Sequence, residues 1–380
     1  MSGEPHNILF DARVLSAEPT GENRYLRTLA AAFLPLLRED EMLHLVLSSG
    51  YGESPVPLSP RCRVHRLSAN AGSASGRREI VRLSRELRSE VFHTTSLAAL
   101  GRVHGRAVLT LHDFRPAVRP QFYGFFRRLR WRFHALRAVH RARRCIAVSE
   151  EALQNGTRFF GKRVRVIGTV VPPCVSPAFS PQSPECVARV REAYGLPEKF
   201  LLYAGADDPV KNLETLLGAY ALLEPTETLP LVLAGFPPRE SRVRVLAEPL
   251  ADRIVWCGVV PDADMPALYS AARAFLFPSL DEAFCYPALE AMSCGTPVVC
   301  SALNVLKEMT AGVAKIVHPT DRQEWRRAIH SAVVSIDWHD TARAAGLARA
   351  AAFRSEEIAR ETLELYRKLY PKGRTYDQSM

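Results

Sequence analysis

The stretch Asp281-Glu282-Ala283-Phe284-Cys285-Tyr286-Pro287-Ala288-Leu289-Glu290-Ala291-Met292-Ser293-Cys294-Gly295-Thr296-Pro297-Val298-Val299 decides how this chain is organised. An apolar run ends just before it at Phe277-Pro278, so a strand leads into a loop that carries Glu282. Pro287 suits the first turn of a helix, where its missing N–H would have had no partner. Gly295-Thr296-Pro297 then turns the chain into a second apolar run that starts at Val298. Strand, helix, strand in this order is the repeating piece of a parallel sheet. The helix start between Pro287 and Glu290 offers N–H donors and a partial positive charge to an anion. Glu282 in the loop and Glu290 on the first turn can each accept hydrogen bonds from sugar hydroxyls.

The same alternation runs outward in both directions, which predicts an α/β chain with parallel sheets. In the first half, strands are expected at 7–10, 43–47, 91–94, 107–111 and 145–148. Helical patterns separate most of them, at 25–37, 77–87 and 122–141. The Pro- and Ser-rich segment 172–184 breaks the pattern and reads as a linker. A second set follows, with strands at 200–204, 231–234, 254–256, 274–277 and 298–300 and helices at 213–223, 263–272 and 322–334. A last helix over 355–370 has Ser355 as N-cap and two glutamates in its first turn. The expected organisation is a first Rossmann-like domain over 1–180, a second over 181–354, and a C-terminal helix and tail over 355–380.

A chain of 380 residues can bury a core in each of two such domains. It contains no apolar run long enough to span a bilayer. The N-terminus carries an acid where a signal peptide wants basic residues. Eight scattered cysteines without a C-x-x-C pair predict neither a zinc site nor a disulfide framework, and a cytoplasmic location is expected. The net charge of +10 favours anionic partners such as nucleotide phosphates or acidic lipid surfaces. No reading module for nucleic acid accompanies it, so nucleic acid is not an expected partner. Arginine supplies most of the charge, for no lysine precedes Lys162. In Phe125-Phe126-Arg127-Arg128-Leu129-Arg130-Trp131-Arg132-Phe133-His134, aromatics alternate with arginines on one helix. Two readings stand for it: a face that settles on anionic headgroups, or an outer face whose aromatics belong to the core.

Further motifs mark strand ends, where parallel sheets bind ligands. Leu201-Leu202-Tyr203-Ala204-Gly205 runs toward Pro209-Val210-Lys211-Asn212-Leu213, which places a lysine at a helix start. Asp11-Ala12-Arg13 precedes Thr20-Gly21-Glu22-Asn23-Arg24-Tyr25, and Thr110-Leu111-His112-Asp113 ends another strand. Gly258-Val259-Val260 follows a further one, and Ala147-Val148-Ser149 offers Ser149 as a helix cap.

Together these motifs resemble the family-four retaining glycosyltransferases, from Asp11 to Tyr366. The opening stretch is similar to the family's E-x7-E element, and the Lys211 segment to its G-x-x-x-P-R-K-N-L. The resemblance implies a GT-B fold: two Rossmann-like domains facing each other across a cleft, with the C-terminal helix crossing back to the first. It implies a retaining, metal-independent hexosyltransferase that uses a nucleotide diphosphate sugar, GDP-mannose favoured, and no other cofactor. The acceptor would be a glycan or lipid-linked sugar hydroxyl in surface polysaccharide assembly, with peripheral contact at an anionic membrane surface. By the same resemblance, Lys211, Glu282 and His112 are the catalytic candidates. Donor-binding candidates are Gly21, Gly205, Val259, Val260, Ala283, Phe284, Cys285, Tyr286, Pro287, Leu289 and Glu290. Val210 stands where the family has arginine, and Ala283 and Cys285 stand where it has glycine. Those departures motivate a second reading, a catalytically impaired relative that binds nucleotide or serves as a partner subunit.

Overall fold

The computed structural model describes residues 5–16, 20–52, 54–57, 59–112, 114–235 and 242–371. Asp113 and the first four residues therefore lie outside the described residues. Two compact units divide the chain: Met1–Cys174 together with Ser355–Met380, and Val175–Arg354.

The first unit holds β1 (His6–Asp11), β2 (Glu41–Ser48), β3 (Cys62–Leu67), β4 (Val91–Thr94), β5 (Arg106–Leu111), β6 (Arg144–Ala147) and β7 (Gly168–Val170). They form one parallel sheet in the order β3-β2-β1-β4-β5-β6-β7. The second unit holds β8 (Leu201–Ala204), β9 (Leu231–Ala234), β10 (Ile254–Gly258), β11 (Ala274–Phe277), β12 (Val298–Ser301) and β13 (Lys315–Val317). Its order is β10-β9-β8-β11-β12-β13, again parallel. Central strands such as β4, β8, β9 and β11 are buried at every residue, which is why they read as unbroken apolar runs rather than alternating ones. The strand order reverses between β1 and β4 in the first sheet and between β8 and β11 in the second. Loops leaving the carboxyl ends of those two strand pairs diverge and leave a crevice, the preferred ligand position in such sheets.

Several elements depart from the sequence reading in instructive ways. β3 pairs with β2 at the sheet edge, and its Cys-Arg-Val-His-Arg-Leu has no buried residue, so no apolar run announced it. The first helix runs Gly21–Phe33, capped by the Thr20 hydroxyl, which accepts from the N–H of Asn23. It gives way to a 3₁₀ turn at Leu34–Leu36, because Pro35 cannot continue α-helical bonding. The last helix begins at Ser355 itself, so that serine is its first residue rather than its cap. Ser149 does cap a helix (Glu150–Phe160), accepting from the N–H of Ala152. The basic segment forms a helix over Phe125–Arg141. Its phenylalanines are not core residues: Phe126 is 82% exposed and Phe133 61%, and Phe125 and Leu129 also lie open, whereas half-buried Trp131 packs against Phe114 and Phe160. The reading that sent the aromatics inward therefore holds for Trp131 and fails for the phenylalanines. No helix among the described residues is long and apolar enough to cross a membrane.

Candidate functional site

At the order reversal of the second sheet, β8 ends in Gly205 and the chain reaches Lys211 in a 3₁₀ turn, Pro209–Lys211. Asn212 follows in the left-handed conformation, φ 56°, which redirects the chain into the Leu213–Tyr220 helix. Asparagine tolerates that conformation, and here its side chain also ties loops together. Its Nδ2 donates to the carbonyls of Pro278 (2.9 Å) and Pro319 (2.7 Å), and its Oδ1 accepts from the Thr215 hydroxyl at 2.7 Å. The loop after β11 is thereby fixed against the loop after β8. Leu280 N–H donates to the Val210 carbonyl at 2.8 Å and reinforces the same junction.

This junction brings Lys211 and Glu282 together. Nζ of Lys211 donates to Oε1 of Glu282 at 2.6 Å, and the Ser279 hydroxyl donates to the same oxygen at 2.8 Å. The glutamate side chain is largely buried, so its charge depends on these donors. An ammonium carries three donors, so Lys211 keeps further N–H groups for an anion. Both contacts fall on Oε1, which leaves Oε2 as an acceptor for a hydroxyl. Beneath the pair lies Tyr203, whose phenol burial pushes well above its usual range, with Glu282, Asp207 and Asp208 adding to the effect.

The helix Tyr286–Ser293 starts from Cys285, with Pro287 in its first turn. Cys285 adopts φ 85°, the left-handed region that glycine favours, and is 2% exposed. Ala283 does not have positive φ, so the strain of the glycine-to-larger replacements falls on Cys285 alone. Phe284 packs edge-on against Tyr286 and Phe353, with ring centres 5.5 and 5.8 Å away. Leu289 is fully buried behind the loop. Glu290 is 1% exposed and its Oε2 accepts from the Tyr269 hydroxyl at 3.3 Å. Its carboxylate thus lies under the helix start rather than on the surface.

Bare backbone forms the neighbouring edge. Gly205 N–H donates to the Ala234 carbonyl, and Gly235 N–H donates to the Gly258 carbonyl at 2.7 Å. Gly235 has φ 98°, and a Cβ there would sit 2.5 Å from the Gly205 carbonyl, so only glycine fits. Val259 beyond this edge is exposed, whereas Val260 is buried.

Gly21 and His112 belong to the first unit. Gly21 opens the Gly21–Phe33 helix, and His112 follows β5, its ring edge-on to Tyr25 at 4.6 Å. His112 lines a cavity of about 780 Å³ at the order reversal of the first sheet, together with Glu22 and Thr95. Burial pushes the Glu22 carboxyl above its usual range, with the nearby Asp11 charge adding to it. Asp11 and Arg13, read from sequence only as part of a motif, form a buried two-pronged ion pair at 2.7 and 2.9 Å. Arg13 also donates to the Gly76 carbonyl, so the pair anchors the loop after β1.

Asp264 precedes the Met265–Ala271 helix and is bound by Arg189 at 2.7 Å and the Tyr194 hydroxyl at 2.9 Å. No cluster of three or more His, Cys, Asp or Glu side chains suited to a metal exists among the described residues. Asn212 was read only as part of the Lys211 motif, and Ser279, Tyr203 and Tyr269 escaped as site residues because isolated polar residues near strand ends carry no spacing signal.

Two parallel-sheet Rossmann-like units, of seven and six strands, with a lysine–glutamate pair at the second sheet's order reversal, define a GT-B glycosyltransferase. Residues 23–173 match the family described as Glycosyltransferase Family 4, and residues 188–335 match Glycosyl transferases group 1. O-antigen chain mannosyltransferase B of Escherichia coli is 33% identical over 293 residues, 75% of this chain and 76% of that protein. The serotype-specific mannosyltransferase WbdA of the same organism is 29% identical over 75% of this chain, which spans only 36% of that longer protein. Among solved structures, sucrose-phosphate synthase from Thermosynechococcus elongatus superposes with a TM-score of 0.76 at 23% identity, covering 96% of this chain and 99% of that one. The chain belongs to the family-four glycosyltransferases.

Proposed function

We propose that this enzyme transfers a mannosyl unit from GDP-mannose to a sugar hydroxyl of a glycan or lipid-linked acceptor during surface polysaccharide assembly, with retention at the anomeric carbon and without a metal ion. The observation that carries this reading is the Lys211–Glu282 pair, 2.6 Å apart, at the carboxyl edge of the second sheet. Relatives described as O-antigen mannosyltransferases support the sugar and the pathway class. They also weigh against the impaired relative that Val210, Ala283 and Cys285 suggest.

In this mechanism Lys211 and the helix start after Pro287 stabilise the diphosphate as the bond from anomeric carbon to phosphate oxygen stretches. Glu282 accepts from a hydroxyl of the donor sugar through Oε2 and holds Lys211 through Oε1. Glu290 accepts from the ribose hydroxyls once the nucleotide displaces the packing around it, while backbone at Gly205, Val259 and Val260 meets the base. Ala283, Phe284, Cys285, Tyr286 and Leu289 shape the sugar side, and Gly21 lets backbone approach the diphosphate. The acceptor oxygen bonds to the anomeric carbon on the face the diphosphate leaves, and its proton passes to the departing phosphate oxygen. His112 lines the acceptor position. The exposed face of the Phe125–Arg141 helix rests on an anionic membrane surface.

Calorimetric titration with GDP, UDP, dTDP and ADP tests the reading. GDP should bind most tightly, and Lys211→Ala should weaken it about tenfold or more, as loss of a charge-assisted phosphate contact does. Mannosyl transfer should survive a chelator. Equal affinity for all four nucleotides, or none, would remove the basis for this donor.

A further inference from the structure

Four polar side chains from four different elements meet inside the first unit. Tyr25 comes from the Gly21–Phe33 helix, His93 from β4, Thr110 from β5 and Tyr366 from the Ser355–Arg367 helix. Tyr25 is 1% exposed and the other three are fully buried. Hydrogen bonds join them into one network. The Tyr366 hydroxyl meets Nδ1 of His93, and Nε2 of His93 meets Oγ1 of Thr110 at 2.6 Å. The Tyr25 hydroxyl meets the same threonine oxygen at 3.2 Å. Sheet register builds the middle of it: His93 pairs with Val108, and Thr110 lies two residues further along β5 on the same face. His112 follows two residues later, its ring edge-on to Tyr25 with centres 4.6 Å apart.

Only two polarities are open to this network. Burial holds the His93 imidazole down to about 3 and pushes the Tyr25 and Tyr366 phenols above their usual range. At neutral pH the ring is therefore neutral and both phenols keep their hydrogens. A neutral imidazole has one N–H donor and one acceptor nitrogen, so its two partners must play opposite parts. If Tyr366 donates to Nδ1, then Nε2 donates to Thr110, and the threonine hydrogen is left to face Tyr25. If Tyr366 accepts, Thr110 donates to Nε2 and Tyr25 must donate to Thr110. The bond that Tyr25 makes thus depends on what Tyr366 does at the other end. The rings of Phe10 and Tyr366 hold the imidazole in place, 5.1 and 5.6 Å away.

We propose that Tyr366, His93, Thr110 and Tyr25 are positioning residues for His112: the last helix, through Tyr366, selects the polarity of the network, and Tyr25 sets the orientation of the His112 ring. Coupling between two places needs an element with discrete alternative arrangements, and the His93 tautomer supplies one. Tyr25 is the junction, because its hydroxyl ends the network while its ring meets His112. Gly21 begins the same helix one turn before Tyr25, so the helix start and His112 are held by one side chain. This inference rests on the transferase reading for the part His112 plays in transfer, but not for the coupling itself.

The test uses the full chain with nitrogen-15 histidine, read by NMR at a pH well above the usual imidazole range, where ring signals report tautomer and contacts alone. His93→Gln and His112→Gln assign the two sets of ring signals. Tyr366→Phe should move the signals of His93 and also those of His112. Tyr370→Phe removes a hydroxyl that ties the same end of the chain to Glu41, and should leave His112 unmoved. Thr110→Val breaks the network in its middle and should act as Tyr366→Phe does, even if that variant does not fold. Thr110→Ser keeps the hydroxyl and should restore the parent signals. In turnover of GDP-mannose to GDP, Tyr366→Phe or Thr110→Val should lower kcat about tenfold and leave KM for GDP-mannose within about twofold, the split that a misplaced group produces. The proposal is overturned if the His112 signals stay in place in Thr110→Val, if Tyr370→Phe moves them as far, or if they move while kcat keeps its parent value. A protein that shows the signal changes but releases no GDP from GDP-mannose supports the coupling and removes the transferase reading, so the two fail independently.

Discussion

Cys285 concentrates what is unusual about this chain at the scale of one residue. A side chain in the left-handed region costs roughly 1–2 kcal/mol, and here φ is 85° at the residue that begins the Tyr286–Ser293 helix. Ala283, two residues earlier, carries no such strain, so two replacements that look equivalent in sequence differ in the fold. A comparison of two variants isolates the strain from the loss of the buried thiol. Cys285→Ala removes the sulfur and keeps the strain, whereas Cys285→Gly removes both. The usual preference for alanine over glycine should invert, with Cys285→Gly more stable by about 1 kcal/mol. Urea unfolding followed through the second unit reads this directly. If Cys285→Ala is the more stable variant, the loop relaxes and the strain argument fails. Legibility at this scale was uneven. Lys211, Glu282, Cys285 and Glu290 stood out because they sit in motifs of fixed spacing. Ser279 and Tyr269 act through hydrogen bonds across the sheet edge, which no spacing encodes.

Among elements, buried strands were legible because both faces of a parallel sheet are covered, and β4, β9 and β11 occupy their expected residues. Of the edge strands only β10 was legible: β3 has no unbroken apolar run and no buried residue, and β7 and β13 have three residues each, too few for a pattern. The Ile336–Ala350 helix also passed unread, since it buries small residues (Ala342, Gly346 and Ala350) rather than a broad apolar stripe. The Phe125–Arg141 helix gives the strongest prediction at this scale. Its exposed phenylalanines have no partner role in the core, and its arginines carry no acidic neighbour along the helix. On vesicles with about 30% anionic lipid, each basic residue near the surface adds about 1 kcal/mol, and buried rings add to it. Replacing Phe125, Phe126 and Phe133 with serine should lower vesicle binding at least tenfold. Stability should stay within about 0.5 kcal/mol, because exposed positions carry little packing. Unchanged vesicle sedimentation would leave the exposed rings without a membrane role.

At the scale of the whole molecule, the chain's end completes its beginning. Arg367 on the Ser355–Arg367 helix grips buried Glu41 through two bonds of 2.8 Å, and the Tyr370 hydroxyl adds a third at 3.0 Å. Tyr366 shares a hydrogen bond with Nδ1 of His93 on β4, whose Nε2 meets the Thr110 hydroxyl at 2.6 Å. Burial, with some help from His112, holds the His93 imidazole down to about 3. His44 on β2, bonded to His65 and Asn7, is held to about 4, again mainly by burial. Both rings are neutral in the folded protein at neutral pH, while an unfolded histidine titrates near 6.5. The unfolded state therefore takes up more protons between about pH 6.5 and pH 3, and stability rises with pH through that window. The contribution is whole above about pH 6.5 and is lost as the solution is acidified. Glu22, raised by burial, acts in the opposite sense above the normal carboxylate range, one group against two. From about pH 7 to about pH 5, His93 alone should cost the first unit about 2 kcal/mol. These histidines belong to the first unit, so hydrogen exchange of β1, β2 and β4 amides is the appropriate readout. His93→Gln should flatten the dependence, and His44→Gln should flatten it in part should the first variant not fold. A first unit whose exchange is unchanged between those two pH values would mean that these histidines titrate normally in the fold, and that Tyr366 does not depend on a neutral ring to hold the last helix in place.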